Sequence, residues 1–134
     1  MLTIDDQLSI HRLISLYGHV IDERQFSRIG EIFTQDAEYD VRKRGSGIHR
    51  GIPAIRQLWE ESKRHPLAHH ATNVVIDEHA DGTVEVHSKG VCVHDDGTVH
   101  STTYRQSVVR TGDGWRISRL AAEMRTSESI PLVS

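Results

Sequence analysis

Leu67-Ala68-His69-His70-Ala71-Thr72-Asn73-Val74-Val75-Ile76 opens on two adjacent histidines and closes as an apolar run. Neighbouring side chains on a strand point to opposite faces, so only one histidine of the pair looks into the core. Pro66 keeps the preceding helix from running into the pair. The alternation continues downstream. Leu67–Glu78, Thr83–His94, Val99–Arg110 and Trp115–Glu123 read as strands, separated by Ala80-Asp81-Gly82, Asp95-Asp96-Gly97 and Thr111-Gly112-Asp113-Gly114. Asp-Gly turns between alternating strands are strong hairpin signals, so this half of the chain is an antiparallel meander.

The first half is mainly helical. Thr3 and Asp6 resemble a capping box, to which Ile4 and Leu8 would add a hydrophobic staple. Ile10, Leu13, Ile14, Tyr17 and Ile21 recur at helical spacing, which predicts a helix from Ile4 to Asp22. Gly18 inside it hints at a close neighbour. Ser27 is the expected cap of a second, shorter helix carrying Ile29, Ile32 and Phe33 and ending before Asp36. Ala37–Val41 then reads as a short strand, Arg42–Gly47 as a basic, glycine-containing loop, and Ile48–Gly51 as the returning strand. Pro53 suits the first turn of a third helix with an apolar stripe of Ile55, Leu58 and Trp59. Helices leading and strands following is an α+β pattern. A long sheet twists and curls. Wrapped around three N-terminal helices, it makes a cone-shaped α+β barrel with one open mouth.

The chain has 134 residues, of which 37% are hydrophobic and 26% charged, so one globular domain over residues 1–134 accounts for it. The tail from Ser127 to Ser134, polar apart from Ile130, Leu132 and Val133, is expected to be loosely held. A net charge of −3 with interspersed signs argues against a nucleic-acid partner. No apolar run is long enough for a membrane span. Met1–Asp6 lacks the basic and apolar regions of a secretion signal, and the single cysteine, Cys92, reads as a core residue; the expected compartment is the cytoplasm. Ten histidines are the compositional oddity.

The order of elements carries a resemblance. Tyr17-Gly18-His19-Val20-Ile21-Asp22, Ile32–Tyr39, His69-His70-Ala71-Thr72-Asn73 and Gly114–Arg119 together resemble the SnoaL-like polyketide cyclase group of the nuclear transport factor two-like superfamily. The resemblance spans nearly the whole chain and implies the cone fold. It covers dehydratases, a dehydrochlorinase, an isomerase, an epoxide hydrolase and non-enzymatic modules, so fold does not choose the reaction. Dehydratase and dehydrochlorinase members use an Asp from the first helix and a His from the strand after the third. The resemblance maps these onto Asp22 and onto one of His69 and His70, with Tyr17 matching an auxiliary tyrosine of some dehydratases. In relatives with a His-x-x-x-Asn start the catalytic histidine sits four before the Asn, so the resemblance points to His69, with Asn73 on the same strand face; a one-residue slip would exchange the histidines. Some relatives place an arginine in the final strand; here Leu120 takes that place, with Arg119 and Arg125 nearby.

An Asp–His pair is chemically useful because the carboxylate sets the imidazole tautomer and stabilises its protonated form. The expected site is therefore His69 as base, Asp22 as orienter and Tyr17 as donor, with Asn73, His70, Trp59 and Arg119 near the substrate. Tyr17 and Trp59 equally suit core packing, and Asp22 could instead cap the loop or pair with Arg24. His87, His94 and His100 follow no ligand spacing. Arg42–Arg44 is a solvated loop or a flank of the mouth that attracts an acidic substrate. The expected activity is that of a lyase or isomerase, dehydratase-like, on a hydrophobic oxygenated small molecule, with no metal or organic cofactor. The alternatives are a ligand-binding or dimerisation module and an epoxide-hydrolase-like enzyme. The resemblance also implies a homodimer.

Overall fold

The capping box forms as the sequence predicts. In the computed structural model, which describes residues 1–131, Thr3 Oγ1 accepts from the Asp6 N–H at 3.0 Å and Asp6 Oδ2 accepts from the Thr3 N–H at 2.9 Å. Helix α1 runs from Ile4 to Asp22 and buries Ile10, Leu13, Ile14, Tyr17 and Ile21. The expected Ile4–Leu8 staple does not form, since both side chains are exposed; Leu2 packs on the core instead. The second helix differs from expectation. It is a 3-10 helix, Phe26–Glu31, with no side-chain cap, and Phe33 already begins strand β1, Phe33–Asp40. The cause is tertiary: Ile117 N–H donates to Ile32 C=O at 2.7 Å, and Phe33 pairs with Ile117. That ladder claims backbone groups which a longer helix would need.

A short 3-10 turn, Arg42–Arg44, leads to β2, Ile48–Arg50, and helix α2, Ile52–Glu61, has a proline in its first turn. The meander follows as β3 (Ala68–Glu78), β4 (Val84–Val93), β5 (Val99–Thr111) and β6 (Gly114–Met124). The six strands form one mixed sheet in the order β2-β1-β6-β5-β4-β3. Only β1 with β6 is parallel; the other pairs are antiparallel. The sheet is curved and unclosed, with β2 and β3 as its edges. Three helical pieces pack against its inner face, as the α+β cone predicts.

Alternation decides which side chains look inward. Val84, Val86, Ser88 and Cys92 of β4 and Thr102, Tyr104, Gln106 and Val108 of β5 are buried. The inner polar groups Ser88 and Gln106 satisfy each other, with Gln106 Nε2 donating to Ser88 Oγ at 2.9 Å. The opposite face carries exposed His70, His87, Lys89 and Arg105. No helix among the described residues is long and apolar enough to cross a membrane. At the C-terminal end, Ser127–Ser129 makes a 3-10 turn; Leu132 and Val133 lie outside the described residues.

Candidate active site

Helix α1 approaches strand β3 closely enough to decide the site. A Cβ on Gly18 would lie 2.6 Å from the carbonyl oxygen of His69, so any other residue fits only if helix and strand move apart. This approach brings Asp22, the last residue of α1, onto His69 at the start of β3. Asp22 grips His69 twice. Its Oδ2 accepts the His69 backbone N–H at 2.8 Å, and its Oδ1 stands 2.5 Å from His69 Nδ1. With the carboxylate as acceptor, Nδ1 is the protonated nitrogen and Nε2 is left for other partners.

A third group completes the cluster. His65 leans against His69 at a tilt of 49° with ring centroids 5.3 Å apart, and its Nε2 lies 3.4 Å from Asp22 Oδ1. Pro66 turns the chain between them and is itself buried. Asp22, His65 and His69 thus offer ligand atoms within 4.8 Å of one another. Two ligands of one tetrahedral ion stand about 3.3 Å apart when each bond is about 2.0 Å. The His65–Asp22 spacing fits that; the His69–Asp22 spacing is shorter and is a hydrogen bond. A cation could bind all three only by displacing the Nδ1 proton.

Burial pulls the pKa of His69 below its ordinary value, and His65 and Arg44 add to that, while Asp22 opposes it. His65 is likewise held down by burial against the pull of Asp22. Both rings are therefore neutral at neutral pH, the form in which an imidazole accepts a proton.

These groups open onto a cavity of about 400 Å³, within the range of small-molecule sites. Ile21, Val41, Leu58 and Trp59 give it apolar wall; Tyr39, Arg44, His65 and His69 are polar groups at its lining. Behind Tyr39 stands Tyr17, with the two hydroxyl oxygens 2.7 Å apart. Burial raises the pKa of both phenols, so both stay protonated. Tyr17, Phe33, Tyr39 and Trp59 meet edge to face with centroids 5.8–6.4 Å apart, a rigid aromatic floor.

The expected site residues therefore divide. Tyr17, Asp22, His69 and Trp59 converge. Residues five apart on a helix differ by about 140° in direction, which would separate Tyr17 from Asp22. Both nonetheless meet His69, since the Tyr17 ring lies 6.2 Å from its ring and Asp22 ends the helix. His70 is exposed on the outer face, the consequence of alternation. Asn73 does not share the face of His69. The ladder is irregular between Thr72 and Val75, and Asn73 takes a left-handed φ of 53° and is exposed. Arg119 is also displaced from the expected place. It points out of the cone and pairs with Asp40 at 2.9 Å and Glu38 at 3.4 Å, while Leu120 beside it is fully buried. Arg24 does not pair with Asp22; its guanidinium lies over the Phe26 ring.

The sequence does not mark Tyr39 or His65 as lining residues, and it offers Arg44 only within a run that is a solvated loop or a flank of the mouth; all three line the cavity. Pro66 rules out a helical pairing of His65 with His69, yet the proline turn itself folds the two rings together. Nothing local marked Tyr39, whose place depends on the parallel pairing of Tyr39 with Leu120.

Comparisons with known proteins agree with this architecture. The profile of the SnoaL-like domain matches residues 2–121. An uncharacterized protein of Mycobacterium tuberculosis, Rv2910c, is 34% identical over 123 residues, covering 87% of this chain and 83% of its own. An NTF2-like protein with a cystatin-like fold from Novosphingobium aromaticivorans is 25% identical with a TM-score of 0.75, over 92% of this chain and 84% of that one. The hexachlorocyclohexane dehydrochlorinase LinA-type3 from Novosphingobium barchaimii has a TM-score of 0.78 at 21% identity, over 98% of this chain and 96% of that one. At that identity the likeness speaks for the fold.

Proposed function

This chain belongs to the SnoaL-like family, and on that footing we propose that it is a small-molecule lyase or isomerase working by acid–base chemistry on a hydrophobic, oxygenated substrate. The observation that carries the reading is the 2.5 Å contact between Asp22 and His69 Nδ1 at the wall of a cavity. In this reading Nε2 of His69 takes a proton from a carbon next to a carbonyl, and Asp22 stabilises the imidazolium that results. In the same reading Tyr17 is the donor in its 2.7 Å contact with the Tyr39 oxygen, which leaves the Tyr39 proton for the cavity. Tyr39 donates a hydrogen bond to the developing oxyanion in an isomerisation, or protonates the departing hydroxyl in a dehydration. In the second case the C–H and C–O bonds break, a C=C bond forms and water leaves. The structural likeness to a dehydrochlorinase supports an elimination by analogy of fold, and it does not identify the substrate.

The test is turnover. A panel of β-hydroxy ketones and β,γ-unsaturated ketones on steroid, polyketide and aromatic frameworks is assayed for loss of water or double-bond migration. His69→Ala and Asp22→Asn are each expected to lower kcat by roughly 10²-fold or more. Intact turnover in both variants would sink the assignment, and binding of ligands without any conversion would favour a carrier.

A further inference from the structure

Arg42, Lys43 and Arg44 are consecutive, yet their charges meet different fates. Arg42 grips Asp40 with Nε at 3.0 Å and a second nitrogen at 2.9 Å, and the pair holds the Asp40 pKa down at about 2. Lys43 reaches Glu123 at 3.3 Å. Both point away from the cavity. Arg44 has no ion pair or side-chain hydrogen bond among the described residues, and it lines the same cavity as His69 and Tyr39. It is half-buried there. Its charge is felt inside: it counters the burial that raises Tyr39 and adds to the burial that lowers His69.

The turn that presents Arg44 is firmly built. Val41 C=O accepts from the N–H groups of Arg44 and Ser46 at 2.9 and 3.1 Å, and Val41 N–H donates to Gly47 C=O at 2.8 Å. Gly45 closes it with a φ of 88°, a value that favours glycine. The other charged lining groups, Glu61 and Arg64, make no ion pair with Arg44 among the described residues. Glu61 accepts from Gln57 Nε2 at 3.0 Å, and Arg64 is exposed at the rim, 4.0 Å from Asp96. A half-buried guanidinium with five donors and no anion beside it is an incomplete pair.

We propose that Arg44 is the anion-binding group of this cavity and that the substrate is an apolar molecule bearing a carboxylate, which the Arg44 fork holds while the aromatic wall takes the hydrocarbon. This rests on the cavity being the substrate site, and it stands independently of whether His69 is the base.

The test is calorimetric binding of matched probes, namely cinnamate, 1-naphthoate and 2-naphthoate, each against its primary amide. At least one acid is expected to bind the wild-type protein about tenfold or more tightly than its amide. Arg44→Gln erases that preference by weakening binding of the acid; Arg42→Gln, on the outward pair, keeps it. His69→Ala also keeps the preference, so loss of turnover in that variant bears on the base and not on the anion site. The proposal is overturned if no acid binds better than its amide, if the preference survives Arg44→Gln, or if it disappears in His69→Ala alone.

Discussion

Gly18→Ala tests whether the contact between α1 and β3 builds the site. The new Cβ would lie 2.6 Å from His69 C=O, where ordinary contacts begin at 3.4 Å. Relief requires a displacement of about 0.8 Å between helix and strand, the difference of those two distances. Two effects oppose each other in stability. Replacing a mid-helix glycine by alanine favours the helix by about 1 kcal/mol. Overpacking at a rigid backbone atom costs about 1–3 kcal/mol. The net change is small, about 0–2 kcal/mol of destabilisation, and the variant folds. The site is less forgiving. A shift of that size stretches both Asp22 contacts to His69, and misplacement by about 1 Å can cost about 10²-fold in rate. Two measurements apply: urea unfolding for stability, and proton NMR for the downfield resonance of the Asp22-bonded imidazole N–H. The expected result is a modest loss of stability with loss of that resonance. A variant stabilised by about 1 kcal/mol with the resonance intact would refute the close approach, because it would show alanine's helix preference unopposed.

Removing His65 shifts the acid limb in a defined direction. Burial and the neighbouring His65 hold His69 below its ordinary value, so His65→Gln, which uncovers the ring and removes that neighbour, moves the limb upward toward 6.5; an NMR titration of His69 or a kcat/KM profile reads it, and a downward move contradicts the assignment. Stability has the same sign. Both folded imidazoles have depressed pKa values, so the unfolded chain binds more protons as pH falls through 6.5; stability is full above that value and is lost below it. Urea midpoints between about pH 8 and about pH 5 are expected to fall on the acid side, less so in His65→Gln. Of the two phenols, Tyr39→Phe is expected to lower kcat by roughly 10²-fold with KM little changed, and Tyr17→Phe by less, since Tyr17 reaches the cavity only through Tyr39. A larger effect at Tyr17 would reverse their order.

Much of this protein is written locally. Periodicity set the extent of helix α1, because Thr3, the spacing of Ile10 to Ile21 and the end near Asp22 are all near-neighbour effects. Asp-Gly turns set the meander, since a hairpin turn needs few residues and restricts its own backbone angles. The pairing of a helix-one carboxylate with a strand histidine was legible only through family resemblance, as no local rule joins residues 47 positions apart.

Tertiary structure decided the rest. Phe33 left its helical pattern because β6 offered its backbone a partner, and Asn73 left the inner face because an irregular ladder rotates side chains that strict alternation would have aligned. Arg119 turned outward to carboxylates on a strand brought alongside by parallel pairing, and Arg44, in a run that composition treats as uniform, turned inward. Each of these depends on which groups arrive from distant parts of the chain, where burial and ion pairing outweigh the preferences a short segment carries on its own.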